Sequence, residues 1–122
     1  MSHRINPGDI GLASFPMAEK SGGLLHPVLV LSVEHTLSGK AYARVAYGSS
    51  QKVSWSGHLA WEFVLAPEES GPFAESGLRK ATRFDLRKTA RVPVRDIRPI
   101  GRVALLDHAV MNRLRKAMLS AQ

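Results

Sequence analysis

The sequence predicts a small, mainly β domain: a strongly bent sheet closing on itself, followed by one C-terminal helix. Three observations carry this. Six or seven short segments rich in β-branched and aromatic residues are spaced by Gly, Pro and Ser turns. Only the last 15 or so residues show apolar positions at helical spacing. The chain is 122 residues, with 44% hydrophobic and 22% charged residues, which suits one domain, 1–122, with a modest core. A sandwich and an SH3-like barrel both satisfy these constraints.

The elements follow in order. Asn6-Pro7-Gly8 is a turn signal. Asp9 to Phe15 alternates and reads as a first strand, ended by Pro16. Met17 to Leu25 contains Ser21-Gly22-Gly23 and reads as a loop. Pro27 to Val33 is apolar on both faces, so it is a buried central strand with Pro27 at its first position. Ser38-Gly39-Lys40 turns into a third strand, Ala41 to Tyr47, which Gly48-Ser49-Ser50 breaks. Residues 52–60 are polar and read as a long loop, and Trp61 to Leu65 as a fourth strand. Pro67 to Pro72 is an acidic turn region, and Phe73 to Ser76 forms a helical turn before Gly77. Thr82 to Leu86 and Ala90 to Val94 read as two further strands, and Arg98 to Val103 as a last short one. Asp107 is an N-cap for the terminal helix, and Val110, Met111, Leu114, Ala117 and Met118 form its apolar face. Arg113, Arg115 and Lys116 sit toward the end that the helix dipole favours for cations.

Composition excludes several classes of function. There is no Cys, hence no disulfide framework, thiolate metal site or cysteine nucleophile. The five histidines (His3, His26, His35, His58, His108) share no ligand spacing, so no metal is expected. HExxH, GxSxG, GxGxxG and P-loop patterns are absent, and no cofactor is expected. No apolar run approaches the roughly 20 residues of a membrane span, and the first nine residues hold no apolar signal core. A cytoplasmic location away from membranes is therefore expected.

The charge is concentrated. The net charge of +7 arises in residues 79–102, where nine basic residues face only Asp85 and Asp96. Such a segment raises the local concentration of polyanions, and nucleic acid is the commonest. Most of the nine are arginine, which suits planar contact with phosphate. A solvated basic face, or a patch for an acidic protein, is the competing reading.

Within that segment Arg83 and Asp85 are two apart on a predicted strand, so both leave one face while Phe84 turns to the core. A guanidinium can hold a phosphoryl oxygen, and a carboxylate beside it stays ionised. The alternative is an exposed ion pair of little consequence. His26 has a side chain suited to proton transfer near neutral pH. Gly48-Ser49-Ser50 offers amides and hydroxyls that could hold a phosphate, or it is simply a turn.

Several of these segments together resemble the PemK/MazF family, the toxins of bacterial type II toxin–antitoxin pairs. The likeness rests on Pro7-Gly8-Asp9-Ile10, His26-Pro27-Val28-Leu29-Val30-Leu31-Ser32 and Val45-Ala46-Tyr47-Gly48-Ser49-Ser50-Gln51. It continues through Ser76-Gly77-Leu78, Arg83-Phe84-Asp85, Arg87-Lys88-Thr89 and Ile100-Gly101-Arg102-Val103 before the terminal helix. The resemblance implies an SH3-like barrel, usually a homodimer, that inhibits growth by cutting single-stranded RNA, chiefly mRNA, without metal. It implies 2′-hydroxyl attack, a cyclic phosphate product and an acidic antitoxin partner. Carried over, Asp85 is the general base, Arg83 stabilises charge or aids the leaving group, and Ser49 matches the family's Thr or Ser. His26 stands where many members have Arg. Gly48, Ser50, Gln51, Lys52, Arg79, Lys80 and Arg87 are then expected on the RNA. A barrel of this kind that binds RNA, or poisons a protein such as gyrase, without cutting is the alternative.

Overall fold

The computed structural model describes residues 4–15, 24–51, 53 and 58–122. Among them six strands form one antiparallel sheet: β1 (Asp9–Ser14), β2 (Leu25–His35), β3 (Ala41–Ser49), β4 (Glu62–Leu65), β5 (Thr82–Pro93) and β6 (Arg98–Arg102). Two helices accompany them, α1 (Ser70–Ser76) and α2 (His108–Ala121). The strand order is β4-β5-β3-β2-β1-β6, and the sheet curls into a half-barrel. This is the bent sheet with a C-terminal helix that the strand pattern predicts.

Period-2 alternation gives the sheet two apolar faces. Ile10, Leu29, Ala46, Phe63, Leu65, Phe84 and Leu86 pack against Val110, Leu114 and Ala117 of α2. The opposite face gathers Ile5, Ala13, Phe15, Val28, Val30, Ala43, Val45, Val92 and Ile97 into a second cluster. Burying side chains of this size contributes on the order of 1.5–3 kcal/mol each, so the two clusters together fix the register.

The sequence reading holds for most elements, with five differences. Residues 82–94 form one strand to Pro93 rather than two, because a bulge between Ala46 and Tyr47 lets β5 stay paired with β3 on both sides of Leu86–Lys88. Pro27 is not the first residue of β2; it lies opposite Leu12 inside the β1–β2 ladder. Gly48 and Ser49 belong to β3 instead of breaking it, facing Phe84 and Arg83. The acidic stretch before Gly77 contains a full short helix, α1. Met118 is 46% exposed and leaves the apolar face of α2, whose buried positions are Val110, Leu114 and Ala117.

Asp107 caps α2 as expected, accepting a hydrogen bond from the Val110 amide at 3.1 Å. Arg113 answers a side chain rather than the helix dipole: it pairs with Glu69 at 2.8 and 2.5 Å. Gly77 ends α1 with φ +72°, and a Cβ there would lie 1.9 Å from the Ile100 carbonyl oxygen. Glycine is therefore required where α1 closes onto β6. The expected loop at Ser21-Gly22-Gly23 lies outside the described residues, as does most of the 52–60 loop. No helix among the described residues is long and apolar enough to cross a membrane.

Candidate functional site

The β register sorts the functional side chains. Tyr47 on β3 is the cross-strand partner of Asp85 on β5, which in turn faces Glu62 on β4. Ser49, Arg83 and Val64 form the next row. Directly opposed residues leave the same face of a sheet, and residues two apart share it. Tyr47, Ser49, Glu62, Arg83 and Asp85 thus crowd one end of the face whose other end is the second apolar cluster. His26 joins them from β2, two residues before Val28, the partner of Tyr47. Phe84, between Arg83 and Asp85, is fully buried on the opposite face.

His26 meets this group through Tyr47. Its Nδ1 lies 3.4 Å from the Tyr47 hydroxyl, and the two rings are 5.1 Å apart. Its Nε2 is buried without a hydrogen-bond partner. Tyr47 also carries the Lys88 ammonium 4.2 Å above its ring, a cation–π contact.

Arg83 is not paired with Asp85, the partner that the sequence suggests. Its Nη1 donates to Glu62 Oε2 at 2.6 Å, and its Nε donates to the Gln51 carbonyl at 2.9 Å. The Glu62 side chain is only 4% exposed, against 29% for Arg83. Glu62 Oε1 accepts from the Leu59 amide at 2.9 Å. Asp85 instead accepts from the Arg87 amide at 2.9 Å, inside the bulged part of β5. Side-chain carboxylate and guanidinium therefore share a face, each held by a different neighbour.

The remaining expected residues take varied positions. Ser49 Oγ accepts from the Gln51 amide at 3.1 Å, closing a local turn beyond the strand end. Ser50 and Gln51 are exposed, whereas Gly48 is buried: a Cβ there would lie 2.7 Å from the Pro27 carbonyl oxygen and 2.8 Å from the Phe84 ring. Close packing, rather than anion binding, explains that glycine. Arg79 and Lys80 are exposed just before β5. The Arg87 guanidinium sits 4.0 Å from the Trp61 ring and donates to the Ser120 carbonyl at 3.2 Å. Lys52 lies outside the described residues.

Among the described residues, four of the nine basic side chains in 79–102 face carboxylates: Arg83, Arg91 with Glu34, Arg95 with Asp96 at 3.9 Å, and Arg102 with Glu75 at 3.4 Å. The field of the segment is weaker than its composition suggests. Concavities adjoin the sheet among the described residues. One, of about 480 Å³, is lined by His58, Glu62, Phe63, Arg113 and Leu119. Another, of about 890 Å³, is lined by Arg4, His35, Lys40, Tyr42 and Arg95. Among the described residues no cluster of His, Asp and Glu could hold a metal ion.

Glu62 escaped the sequence reading, although it carries a signal in retrospect, as a charged residue inside the apolar run Trp61 to Leu65. Tyr47 belongs to a segment that the sequence singles out, but its contact with His26 is not legible there.

The curled antiparallel sheet with its terminal helix defines the class: this is the fold of the MazF toxins. The protein is similar to the Mycobacterium tuberculosis toxin MazF-mt6, with a TM-score of 0.61 and 23% identity over 93% of this chain and 94% of that one. It is similar to a second M. tuberculosis toxin at TM-score 0.56 and 23% identity, covering 80% and 92%. An endoribonuclease from a mycobacterial species gives TM-score 0.59 and 13% identity, covering 99% and 93%. No protein-family model matches the sequence, and no curated protein matches it either.

Proposed function

We propose that the protein is a growth-inhibiting toxin of the PemK/MazF kind, an endoribonuclease that cuts single-stranded RNA without metal. The observation that carries this reading is the shared face of Arg83, Asp85, Ser49 and Tyr47, with His26 against Tyr47, in a fold common to known toxins. Asp85 takes the proton of the 2′-hydroxyl, whose oxygen attacks the adjacent phosphorus. Arg83 faces the negative charge that builds on the phosphoryl oxygens. The P–O5′ bond breaks, and the leaving oxygen takes a proton from the His26–Tyr47 pair. The products are a 2′,3′-cyclic phosphate and a 5′-hydroxyl. Ser49 orients the phosphate, and Ser50, Gln51, Lys52, Arg79, Lys80 and Arg87 hold the flanking strand. An acidic antitoxin, a homodimer and a cytoplasmic setting belong to the same reading.

The test is incubation of the purified protein with a mixed RNA pool in the presence of chelator. New cyclic-phosphate ends that vanish in Asp85→Ala, while RNA binding persists, are the expected outcome. An unchanged rate in that variant removes Asp85 from the chemistry. One observation favours the second reading, a barrel that binds RNA or a protein such as gyrase without cutting: Arg83 is already engaged by Glu62. Retarded but intact RNA would select it.

A further inference from the structure

We propose that Glu62 is the positioning residue for Arg83, fixing which edge of the guanidinium meets the substrate. The consequence for catalysis rests on the nuclease reading above; the positioning itself does not.

The argument starts from how fully Glu62 is committed. Both carboxylate oxygens are used, Oε1 by the Leu59 amide and Oε2 by Arg83 Nη1, and the side chain is 4% exposed. Swinging away would break both of these bonds. Its neighbours Phe63, Val64 and Leu65 are all buried. An apolar residue at 62 would suit that strand, since a buried ion pair rarely outperforms well-packed hydrophobic side chains. Stability alone therefore does not account for an acid here.

Arg83 shows what the acid achieves. Nε is bound to the Gln51 carbonyl and Nη1 to Glu62, at the two ends of the guanidinium plane. Two fixed contacts on one plane leave it no freedom to rotate. Nη2 is the nitrogen with no contact among the described residues, so a phosphoryl oxygen meets Arg83 at that edge. A guanidinium pinned in this way stabilises developing charge without reorganising, which raises turnover more than affinity. Glu62 also offsets the charge of Arg83, so this arginine adds little to general attraction for RNA. That role falls to Arg79 and Lys80, which are exposed and pair with no acid among the described residues.

Nitrogen-15 NMR of arginine guanidinium groups tests the positioning directly. In the wild-type protein the Arg83 Nη protons should show hindered rotation, while those of Arg91, in an exposed pair, should average. Glu62→Gln keeps an acceptor for the Leu59 amide but removes the charge, and it should release the rotation of Arg83. In the cleavage assay the same variant should lose about tenfold or more in kcat with KM and RNA binding within about twofold of wild type; Glu34→Gln should change neither. Free rotation of Arg83 in the wild-type protein would overturn the proposal, even if the variant does not fold. So would an unaltered Arg83 signal together with unaltered kcat in Glu62→Gln. If the wild-type protein cuts no RNA, the nuclease reading fails, and the NMR comparison still decides the role of Glu62.

Discussion

Strand β5 carries two arginine–glutamate pairs that look alike in sequence and differ in setting. Arg83 meets Glu62 where the side chains are 29% and 4% exposed; Arg91 meets Glu34 where they are 47% and 59% exposed. The first acid sits on an edge strand that is otherwise apolar and packed, the second beside the turn that closes the β2–β3 hairpin. Water screens the second pair and cannot reach most of the first. The same chemistry is thus a constraint at one end of the strand and surface decoration at the other. Desolvation, more than the presence of an ion pair, marks the polar end of the sheet as a built cluster.

The sharpest way to break the comparison is to remove one partner at the buried end. Arg83→Ala leaves the Glu62 carboxylate enclosed without its cation, and chemical denaturation should show a loss of about 3–5 kcal/mol. Replacing both, Arg83→Met with Glu62→Leu, should recover much of that loss, because no charge is then left buried. A single variant costing under about 1 kcal/mol would mean that the two pairs differ only in appearance.

A third pair grades the scale. Arg113 and Glu69 are 29% and 21% exposed and make two parallel hydrogen bonds that tie α2 to the turn before α1. Arg113→Ala should cost about 1.5–3 kcal/mol, the range for hydrogen bonds to charged groups, between the two pairs of β5. A loss outside that interval would break the ordering by exposure. Below it comes the cap of the same helix: Asp107→Ala should cost about 1 kcal/mol, read as a shift in denaturation midpoint, since it frees the Val110 amide.

These pairs also show what the sequence could and could not reveal. The shared face of Arg83 and Asp85, with Phe84 turned inward, follows from strand periodicity alone, and the structure has it so. The helix cap at Asp107 is equally local and equally legible. The partner of Arg83 is not local: Glu62 lies 21 residues earlier and reaches it only through the β4–β5 register. A charged residue in an apolar run hints that some partner exists without naming it. The continuity of β5 was hidden for a related reason. The bulge that carries the strand past Leu86–Lys88 is set by where β3 pairs, which no window on β5 contains. The contact of His26 with Tyr47 likewise depends on the β2–β3 pairing, which brings together residues 21 apart in the chain.

The smallest expected effect is the most discriminating. Glu34→Gln removes the charge of the exposed pair while leaving the Arg91 guanidinium 3.8 Å from the Tyr42 ring, so the variant isolates the Coulomb part. That part should be below about 1 kcal/mol at low salt and should vanish as ionic strength rises toward 1 M, where the screening length falls to about 3 Å. The loss in Arg83→Ala should persist across the same salt range, because ions in solution do not reach an enclosed carboxylate. Two denaturation series in salt therefore separate the ends of β5 more surely than the size of either loss. A salt-insensitive Glu34 effect would show that the outer pair is shielded in a way its exposure denies, and the contrast along the strand would lose its physical basis.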